Sequence, residues 1–252
     1  MCFKEYAISV FFIIYLLPSL LRADTPRAAE LVREAIDYWR DKSSYSEAEM
    51  IIHRPDWERR LELKMWTRGS DLSLVRFTAP AKDAGNANLK RGSEMWSYSP
   101  KINRIIKIPS SMMHQSWMGS DFSYNDLAKA DEIVRDYDHT LVKTEKLDGL
   151  KVYTVESVPH EDAPVVWGKE LLKIREDKII LEHLYFDQDM KLIKKLEASQ
   201  IRMAGGKLYP MVILMTNVEK PEHWTKVTHK EVVFNLEIPD RYFTLSFLRN
   251  PR

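Results

Sequence analysis

Residues 61–79 read LELKMWTRGSDLSLVRFTA, and this stretch predicts two neighbouring strands joined by a short turn. In the first strand, apolar side chains recur at every second position: Leu61, Leu63 and Met65. This is the period-two pattern of a strand with one apolar face. The sequence RGSD at 68–71 is typical of a turn, and Pro80 is expected to end the second strand. Strands joined by so short a turn must run antiparallel, because parallel strands need a long crossover.

The same alternation of short apolar runs and turns continues to the C-terminus. Further strands are predicted at 93–98, 103–108, 140–145, 151–157, 170–175, 179–186, 191–201, 209–218 and 226–236. No linker rich in Gly, Pro or Ser interrupts them, and no internal repeat is present. The predicted fold class is therefore mainly β (α+β), with one large curved antiparallel sheet that forms an incomplete barrel and helices that cover its concave face.

One long helix is predicted before the strands, in the sequence RAAELVREAIDYWRDK at 27–42. Thr25 is expected to be its N-cap and Pro26 its first helical residue. Apolar side chains at helical spacing form a single stripe: Ala28, Leu31, Val32, Ala35, Ile36 and Trp39. Because this stripe needs an apolar surface to pack on, we expect the helix to lie against the concave face of the sheet.

Residues 109–131, PSSMMHQSWMGSDFSYNDLAKAD, lack strand alternation and are rich in Met and aromatic residues. Ser123 and Asp126 form the pattern of a capping box and predict a short helix through Leu127 and Ala130. This segment is expected either to fill the open side of the sheet or to cover it as a lid. Methionine is unbranched and suits both an adaptable binding surface and ordinary core packing.

The first 23 residues differ from the rest of the chain. The apolar run AISVFFIIYLL at 7–17 is shorter than the roughly 20 residues that span a bilayer, and Pro18 follows it. This pattern is typical of a signal peptide that is cleaved after Ala23, so residues 24–252 are expected to form the exported domain. An uncleaved membrane anchor is the alternative.

Composition excludes several classes of function. The 252 residues include 38 Lys and Arg, 37 Asp and Glu, eight Gly and one Cys. This balance gives no basic surplus for nucleic-acid binding, and one Cys excludes a disulfide framework or a multi-cysteine metal site. Cleavage after residue 23 would remove that Cys and leave 36 basic and 36 acidic residues. A chain without thiols suits an oxidising compartment, because it has nothing to mispair.

No catalytic residue, metal site or cofactor is predicted. The seven His residues do not have the spacing of a metal site, and the Walker, GxGxxG and GxSxG motifs are absent. A Ser120 nucleophile beside Asp121, with His114 as its base, is the enzymatic alternative, but we expect Ser120 and Asp121 to fix the loop instead. Residues 160–162 (His-Glu-Asp) are expected to be a solvated loop.

The positive feature is apolar surface on a half-open sheet, a shape that can enclose a cavity for a lipid-like ligand. The candidate ligand-binding residues come from the helix, the strands and the Met-rich segment: Leu31, Ile36, Trp39, Leu61, Leu63, Met65, Trp96, Met113, Trp117, Met118 and Phe122.

Five short motifs stand out along the chain: PAK at 80–82, WSYSP at 96–100, GSDFSYNDL at 119–127, YFD at 185–187 and PDRYFT at 239–244. Together they resemble the LolA-like outer membrane lipoprotein-sorting protein family over about residues 60–248. The resemblance implies a fold like the lipoprotein carriers LolA and LolB, an incomplete antiparallel barrel with helices closing its concave side. It also implies acyl chains as ligands, with an inner-membrane exporter and an outer-membrane acceptor as partners.

These features predict a non-enzymatic periplasmic carrier that binds acyl chains of lipids or lipoproteins and moves them between envelope membranes, with transient membrane contact. One alternative is a binding or sensor module of the same fold that docks an inner-membrane exporter. The other is an envelope ester hydrolase that uses Ser120 or the cluster at 160–162.

Overall fold

The computed structural model describes residues 27–128 and 131–251. The predicted signal peptide, Thr25 and Pro26 lie outside these residues. The division into a signal peptide and a domain at 24–252 therefore stays a prediction.

Thirteen antiparallel strands form one sheet in the described part of the chain. In chain order they are β1 (Ser43–Arg54), β2 (Trp57–Arg68), β3 (Leu72–Ala79), β4 (Ala87–Arg91), β5 (Glu94–Ser99), β6 (Arg104–Lys107), β7 (Tyr137–Leu147), β8 (Leu150–Pro159), β9 (Lys169–Arg175), β10 (Ile180–Phe186), β11 (Leu192–Ala204), β12 (Lys207–Asn217) and β13 (Trp224–Phe234). Their order across the sheet is β6-β5-β4-β3-β2-β1-β13-β12-β11-β10-β9-β8-β7. The two edges, β6 and β7, are not paired with each other, so the predicted fold of one open antiparallel sheet is confirmed.

The first and last strands of the chain meet in the middle of the sheet. β1 pairs with β13 from Ser44 opposite Phe234 to His53 opposite Trp224. Each half of the sheet is a series of consecutive hairpins, β1 to β6 on one side and β7 to β13 on the other. The β1–β13 pairing is therefore the ladder that joins the two halves.

Two strands were missed by the sequence pattern, β1 and β4. The inward positions of β1 include small residues, Ser44, Ser46 and Ala48, so the strand lacks a clear apolar alternation. β4 is short and is buried on both faces, with Asn88 and Lys90 among its buried side chains. A period-two search misses a strand with small inward residues, such as β1, and a short strand buried on both faces, such as β4.

Within residues 27–128 and 131–251, four α-helices accompany the sheet: α1 (Ala28–Arg40), α2 (Tyr124–Ala128), α3 (Glu132–Arg135) and α4 (Leu245–Arg249). The helix α1 packs on β7, β9 and α3 through Leu31, Val32 and Ala35. The predicted N-cap is wrong, because α1 begins at Ala28 and Arg27 holds the N-cap position with an extended backbone. Among the described residues, no helix is long and apolar enough to cross a membrane.

The residues after β13 cover the opposite, outer face of the sheet. Phe243, Phe247 and Leu248 pack against Leu74 and Leu89 of β3 and β4. The concave face carries separate clusters, one of them beneath Trp117. The sheet is thus covered on both faces near β3 and β4.

Residues 108–136 form the connection between β6 and β7, and we call them the crossing segment. Because β6 and β7 are opposite edges of the sheet, this segment must cross one of its faces, and the packing of Trp117 with Leu63 and Phe77 shows that it crosses the concave side. Trp117 is buried there, with its ring 5.4 Å from that of Phe77, and its indole Nε1 donates to Asn88 Oδ1 at 2.9 Å. The crossing segment therefore covers the sheet and also buries a side chain, Trp117, among the residues of the sheet.

The predicted capping box in the crossing segment is confirmed. The backbone N–H of Ser123 donates to Asp126 Oδ2 at 2.7 Å, and the N–H of Asp126 donates to Ser123 Oγ at 3.1 Å. These two bonds fix the start of α2.

Replacement of Phe77 by Ala tests how far the cover and the sheet depend on each other. Phe77 is 1% exposed and contacts Trp117, so Phe77→Ala is expected to lower the free energy of unfolding by about 3–5 kcal/mol. Urea denaturation measures this change. The control is Thr78→Ala at the exposed neighbouring position, where the loss should stay below about 1 kcal/mol. Equal losses in the two variants would contradict the packing described here.

Candidate functional site

A cavity of about 310 Å³ lies between the concave face of the sheet, α1 and the crossing segment. Its volume is at the lower end of the range for pockets that hold small ligands. Six of the residues predicted from the sequence line it: Ile36, Trp39, Leu63, Met65, Trp117 and Phe122. The structure thus brings together side chains from α1, β2 and the crossing segment.

Four other predicted residues pack beside the cavity instead of lining it. Leu31 is buried among the residues that hold α1 on β7 and β9, and Leu61 is buried in the cluster beneath Trp117. Met113 is buried with Met95 of β5, and Met118 packs on the same cluster as Leu61.

Trp96 points to the outer face of the sheet. It lies opposite Leu89 on the neighbouring strand, and both side chains pack with the C-terminal residues 236–248. Side chains directly opposite each other in a ladder share a face, so Trp96 is on the side away from the cavity. The alternation along β5 explains this, since its inward residue is Met95.

Much of the cavity wall comes from strands whose role the sequence did not reveal. These residues are on β10, β12 and β13 and in the loop before β9: Ile180, Tyr209, Ile213, Met215, Val227, Val232, Val165, Val166 and Trp167. Five consecutive residues of β12, Tyr209 to Ile213, are buried, so burial does not alternate along this strand and does not mark its inward face. The order of the strands in the sheet decides which of them are neighbours, and the sequence of one segment alone does not show that order.

The loop between β8 and β9, residues 160–168, borders the cavity with an apolar side, Val165 to Trp167. Gly168 anchors its end, because a Cβ there would lie 2.5 Å from the carbonyl oxygen of Asp187. The predicted polar residues 160–162 are exposed at the other end of this loop. The described residues form no cluster of three or more His, Cys, Asp or Glu that could hold a metal ion.

Three acidic residues of the crossing segment, five positions apart, each pair with a basic residue of the sheet. The pairs are Asp121 with Arg54 of β1 at 3.0 Å, Asp126 with Lys194 of β11 at 2.9 Å, and Asp131 with Lys90 of β4 at 3.5 Å. The three basic residues lie on both sides of the β1–β13 ladder. The ion pairs therefore hold the crossing segment to both halves of the sheet.

Ser120 stabilises the crossing segment. Its side chain is fully buried, its hydroxyl donates to the carbonyl of Trp117 at 2.6 Å, and it accepts from the N–H of Phe122 at 3.2 Å. Its neighbour Asp121 accepts from Arg54 and from Thr225 Oγ1 at 2.6 Å. Ser120 and Asp121 thus both make the contacts of a fixed loop.

A hydrogen-bonded polar group stands at the β9–β10 end of the cavity. His183 Nε2 lies 2.5 Å from Glu170 Oε2, and the hydroxyl of Tyr185 lies 3.0 Å from His183 Nδ1. Burial raises the pKa of Tyr137, and the Glu170 carboxylate raises it further by its charge and by accepting a hydrogen bond. These polar groups are hydrogen-bonded to one another, so they do not need a ligand as a hydrogen-bond partner at this end of the cavity.

His229 of β13 is a buried polar residue in the wall. Burial lowers its pKa to about 4, so the imidazole is neutral at pH 7. Its ring lies 5.5 Å from that of Tyr209, and its Nδ1 is buried with no hydrogen-bond partner among the described residues.

A smaller cavity of about 90 Å³ adjoins the main one. The two share Asn125 and Asp126 of α2 and Val166 and Trp167 of the β8–β9 loop. The ammonium group of Lys194 lies 5.3 Å from the centre of the Trp167 ring. The Lys194–Asp126 pair thus stands between the loop and the crossing segment.

The buried His229 makes stability depend on pH. Below pH 6.5 the unfolded chain binds a proton that the folded protein does not bind until about pH 4, so the free energy of unfolding should fall as the pH drops through this window. The loss is expected to approach about 3 kcal/mol. Urea unfolding of wild type and His229→Leu at pH 7.5, 6.5, 5.5 and 4.5 measures it as the difference between the two proteins. A difference that stays constant with pH would contradict it, and His160→Leu, at an exposed position, is the control that should behave like wild type.

A family model with the description "Uncharacterized protein" matches residues 69–250. No curated protein matches the chain. Solved structures do match. A DUF1329 family protein from Desulfovibrio piger is 26% identical with a TM-score of 0.79, over 88% of this chain and 97% of that one.

Two further structures are similar at lower identity. One is described as a putative outer membrane lipoprotein-sorting protein domain from Vibrio parahaemolyticus, with 21% identity and a TM-score of 0.76 over 88% of this chain and 98% of that one. The other is a LolA superfamily protein from Nitrosomonas europaea, with 20% identity and a TM-score of 0.74 over 88% and 100%. At these identities the two structures establish the fold alone. The chain belongs to the family whose model matches residues 69–250, and its fold is that of the LolA-like outer membrane lipoprotein-sorting proteins.

Proposed function

We propose that this protein is a non-enzymatic carrier that binds acyl chains of lipids or lipoproteins and moves them between the membranes of a bacterial envelope. The observation that carries the proposal is the cavity between the open sheet and the crossing segment, with walls built mainly from apolar side chains. Each CH₂ group that leaves water contributes about 0.8 kcal/mol. Apolar area alone can therefore supply the affinity.

The six predicted residues that line the cavity are proposed to contact the acyl chain: Ile36, Trp39, Leu63, Met65, Trp117 and Phe122. Trp96 is left out of this set, because it faces the other side of the sheet. Leu31, Leu61, Met113 and Met118 are proposed to support the wall from behind.

We propose that cargo enters and leaves between the β8–β9 loop and α2, where the smaller cavity adjoins the main one. Opening this passage separates Lys194 from Asp126, which are 2.9 Å apart, and moves Trp167 from the ammonium group. The remaining two ion pairs, at Asp121 and Asp131, would keep the crossing segment attached during this motion.

The place of action proposed is the periplasm, with residues 1–23 as a cleaved signal peptide. The proposed partners are an inner-membrane exporter as donor and an outer-membrane acceptor. The sequence resemblance supports both, as does the structural similarity to a protein described as an outer membrane lipoprotein-sorting domain.

Retained ligand and chain-length dependence test the carrier function. Protein purified from the periplasmic fraction is expected to release lipid that mass spectrometry identifies. Calorimetry with decanoate and dodecanoate is expected to show affinity rising by about tenfold for the two added CH₂ groups, because both are buried. Protein free of lipid that binds neither acid would sink the carrier proposal and favour a docking module.

Lys194→Gln tests the proposed passage. Loss of the pair with Asp126 should speed the uptake of a fluorescent fatty acid by two- to tenfold, as expected for a partly buried pair worth up to about 1.4 kcal/mol. Stopped-flow fluorescence measures the rate. Lys195→Gln, which removes a cation from the adjacent position on the other face of β11, is the matched control and should leave the rate unchanged. Equal rates in all three proteins would place the passage elsewhere.

A further inference from the structure

The end of the cavity nearest the β2–β3 turn contains the guanidinium of Arg40. Arg40 is the last residue of α1 and lines the cavity beside Trp39. Its hydrogen bond within the described residues goes to the carbonyl of Ser70, at 3.3 Å. Burial lowers its pKa, while the negative charges of Asp131 and Asp71 oppose this. A guanidinium has five N–H donors, so most of its donors are left for another partner.

A second cation lies close to Arg40. Lys90 of β4 is 2% exposed, and its ammonium group also donates to the carbonyl of Ser70. Burial lowers its pKa, and the positive charge of Arg40 lowers it further, while Asp131 opposes this. Asp131 is shared, since it lies 3.5 Å from Lys90 and 3.6 Å from Arg135.

A row of hydroxyl groups adjoins the two cations. Across four neighbouring strands, the residues directly opposite one another are Ser44, Thr67, Ser73 and Lys90. The three hydroxyl residues line the cavity, and Ser44 Oγ lies 2.6 Å from Thr67 Oγ1. Hydroxyls and basic side chains together are the donors that bind carboxylate and phosphate oxygens.

We propose that this end of the cavity binds the anionic head group, a carboxylate or a phosphate, of a single-chain amphiphile whose alkyl chain fills the apolar part. This inference rests on the proposed carrier function and adds the head-group class and the orientation of the cargo. Arg40 contacts the head group directly, and the hydroxyl row supplies further donors.

The opposite end of the cavity favours the same orientation. There the carboxylate of Glu170 is bonded to His183, so an anionic head would be repelled. Glu132 also lines the cavity and has contacts of its own. A chain with its head at Arg40 therefore extends toward Glu170 through the apolar residues between them.

The position of Arg40 on its helix is not explained by solubility or by the helix dipole. A cation near a helix C-terminus is favourable wherever its side chain points. Arg33 on the same helix is exposed and pairs with Glu30, whereas Arg40 faces the cavity. Arg40 is half-buried, and its charge lowers stability unless it has partners. The carboxylates of Asp131 and Asp71 act on it through their charge, and an anionic ligand would add a partner in direct contact.

Calorimetry with three dodecyl compounds, dodecanoate, dodecyl phosphate and neutral dodecanol, tests this site at one pH and ionic strength. Wild type is expected to bind at least one of the two anions tenfold or more tightly than dodecanol, and the tighter anion identifies the head group. Arg40→Met should bind all three with similar affinity. Arg33→Met, on the exposed face of α1, should keep the preference of wild type.

The outcomes separate this inference from the carrier function. If wild type binds dodecanol as tightly as both anions, the head-group site is overturned while the carrier stands. If none of the three binds, the carrier proposal itself fails. If Arg40→Met keeps the preference, Arg40 is not the head-group ligand. Should Arg40→Met fail to fold by circular dichroism, Thr67→Val decides, with a two- to fivefold loss for the favoured anion and none for dodecanol supporting the site, and an unchanged anion affinity overturning it.

Discussion

The ladder between β1 and β13 is the interaction on which the rest of the structure depends. It joins the first hairpin series to the last one, so the two edges of the sheet, β6 and β7, are far apart in the strand order but consecutive in sequence. A chain that leaves β6 and enters β7 must therefore cross one face of the sheet, and the packing of Trp117 on Phe77 makes it the concave side. The cover of the cavity thus follows from the topology, and its Met and aromatic side chains determine how it packs.

Local patterns in the sequence were sufficient to predict the strands with one apolar face and the short helix of the crossing segment. Alternation placed Leu63 and Met65 on the inner face of β2, and Ser123 with Asp126 gave the start of α2 correctly. The same rules failed where neighbours decide burial. β4 can bury Lys90 because its ammonium group pairs with the Asp131 carboxylate and donates a hydrogen bond to the Ser70 carbonyl. The sequence pattern of β4 shows neither partner.

The residues of the candidate site also fall into those that sequence patterns predicted and those that they did not. Ile36 and Trp39 could be predicted from the helical stripe, since a helix buries its apolar face. Trp96 could not be placed correctly, because a large aromatic residue fits either face and the strand register decides between them. Arg40 was missed because it ends the same helix as a charged residue, where exposure is the ordinary expectation.

Buried polar groups around an apolar cavity are best understood by whether their partners are present. Glu170, His183 and Tyr185 satisfy one another, so their burial costs little and fixes the shape of one end. Arg40 and Lys90 at the other end repel each other, and the carboxylate nearest them is shared with Arg135. A folded protein keeps such an arrangement at a loss of stability unless a ligand relieves it, and local departures of this kind concentrate at functional sites. The asymmetry between the two ends therefore links the stability of the protein without ligand to the charge of the ligand that we propose.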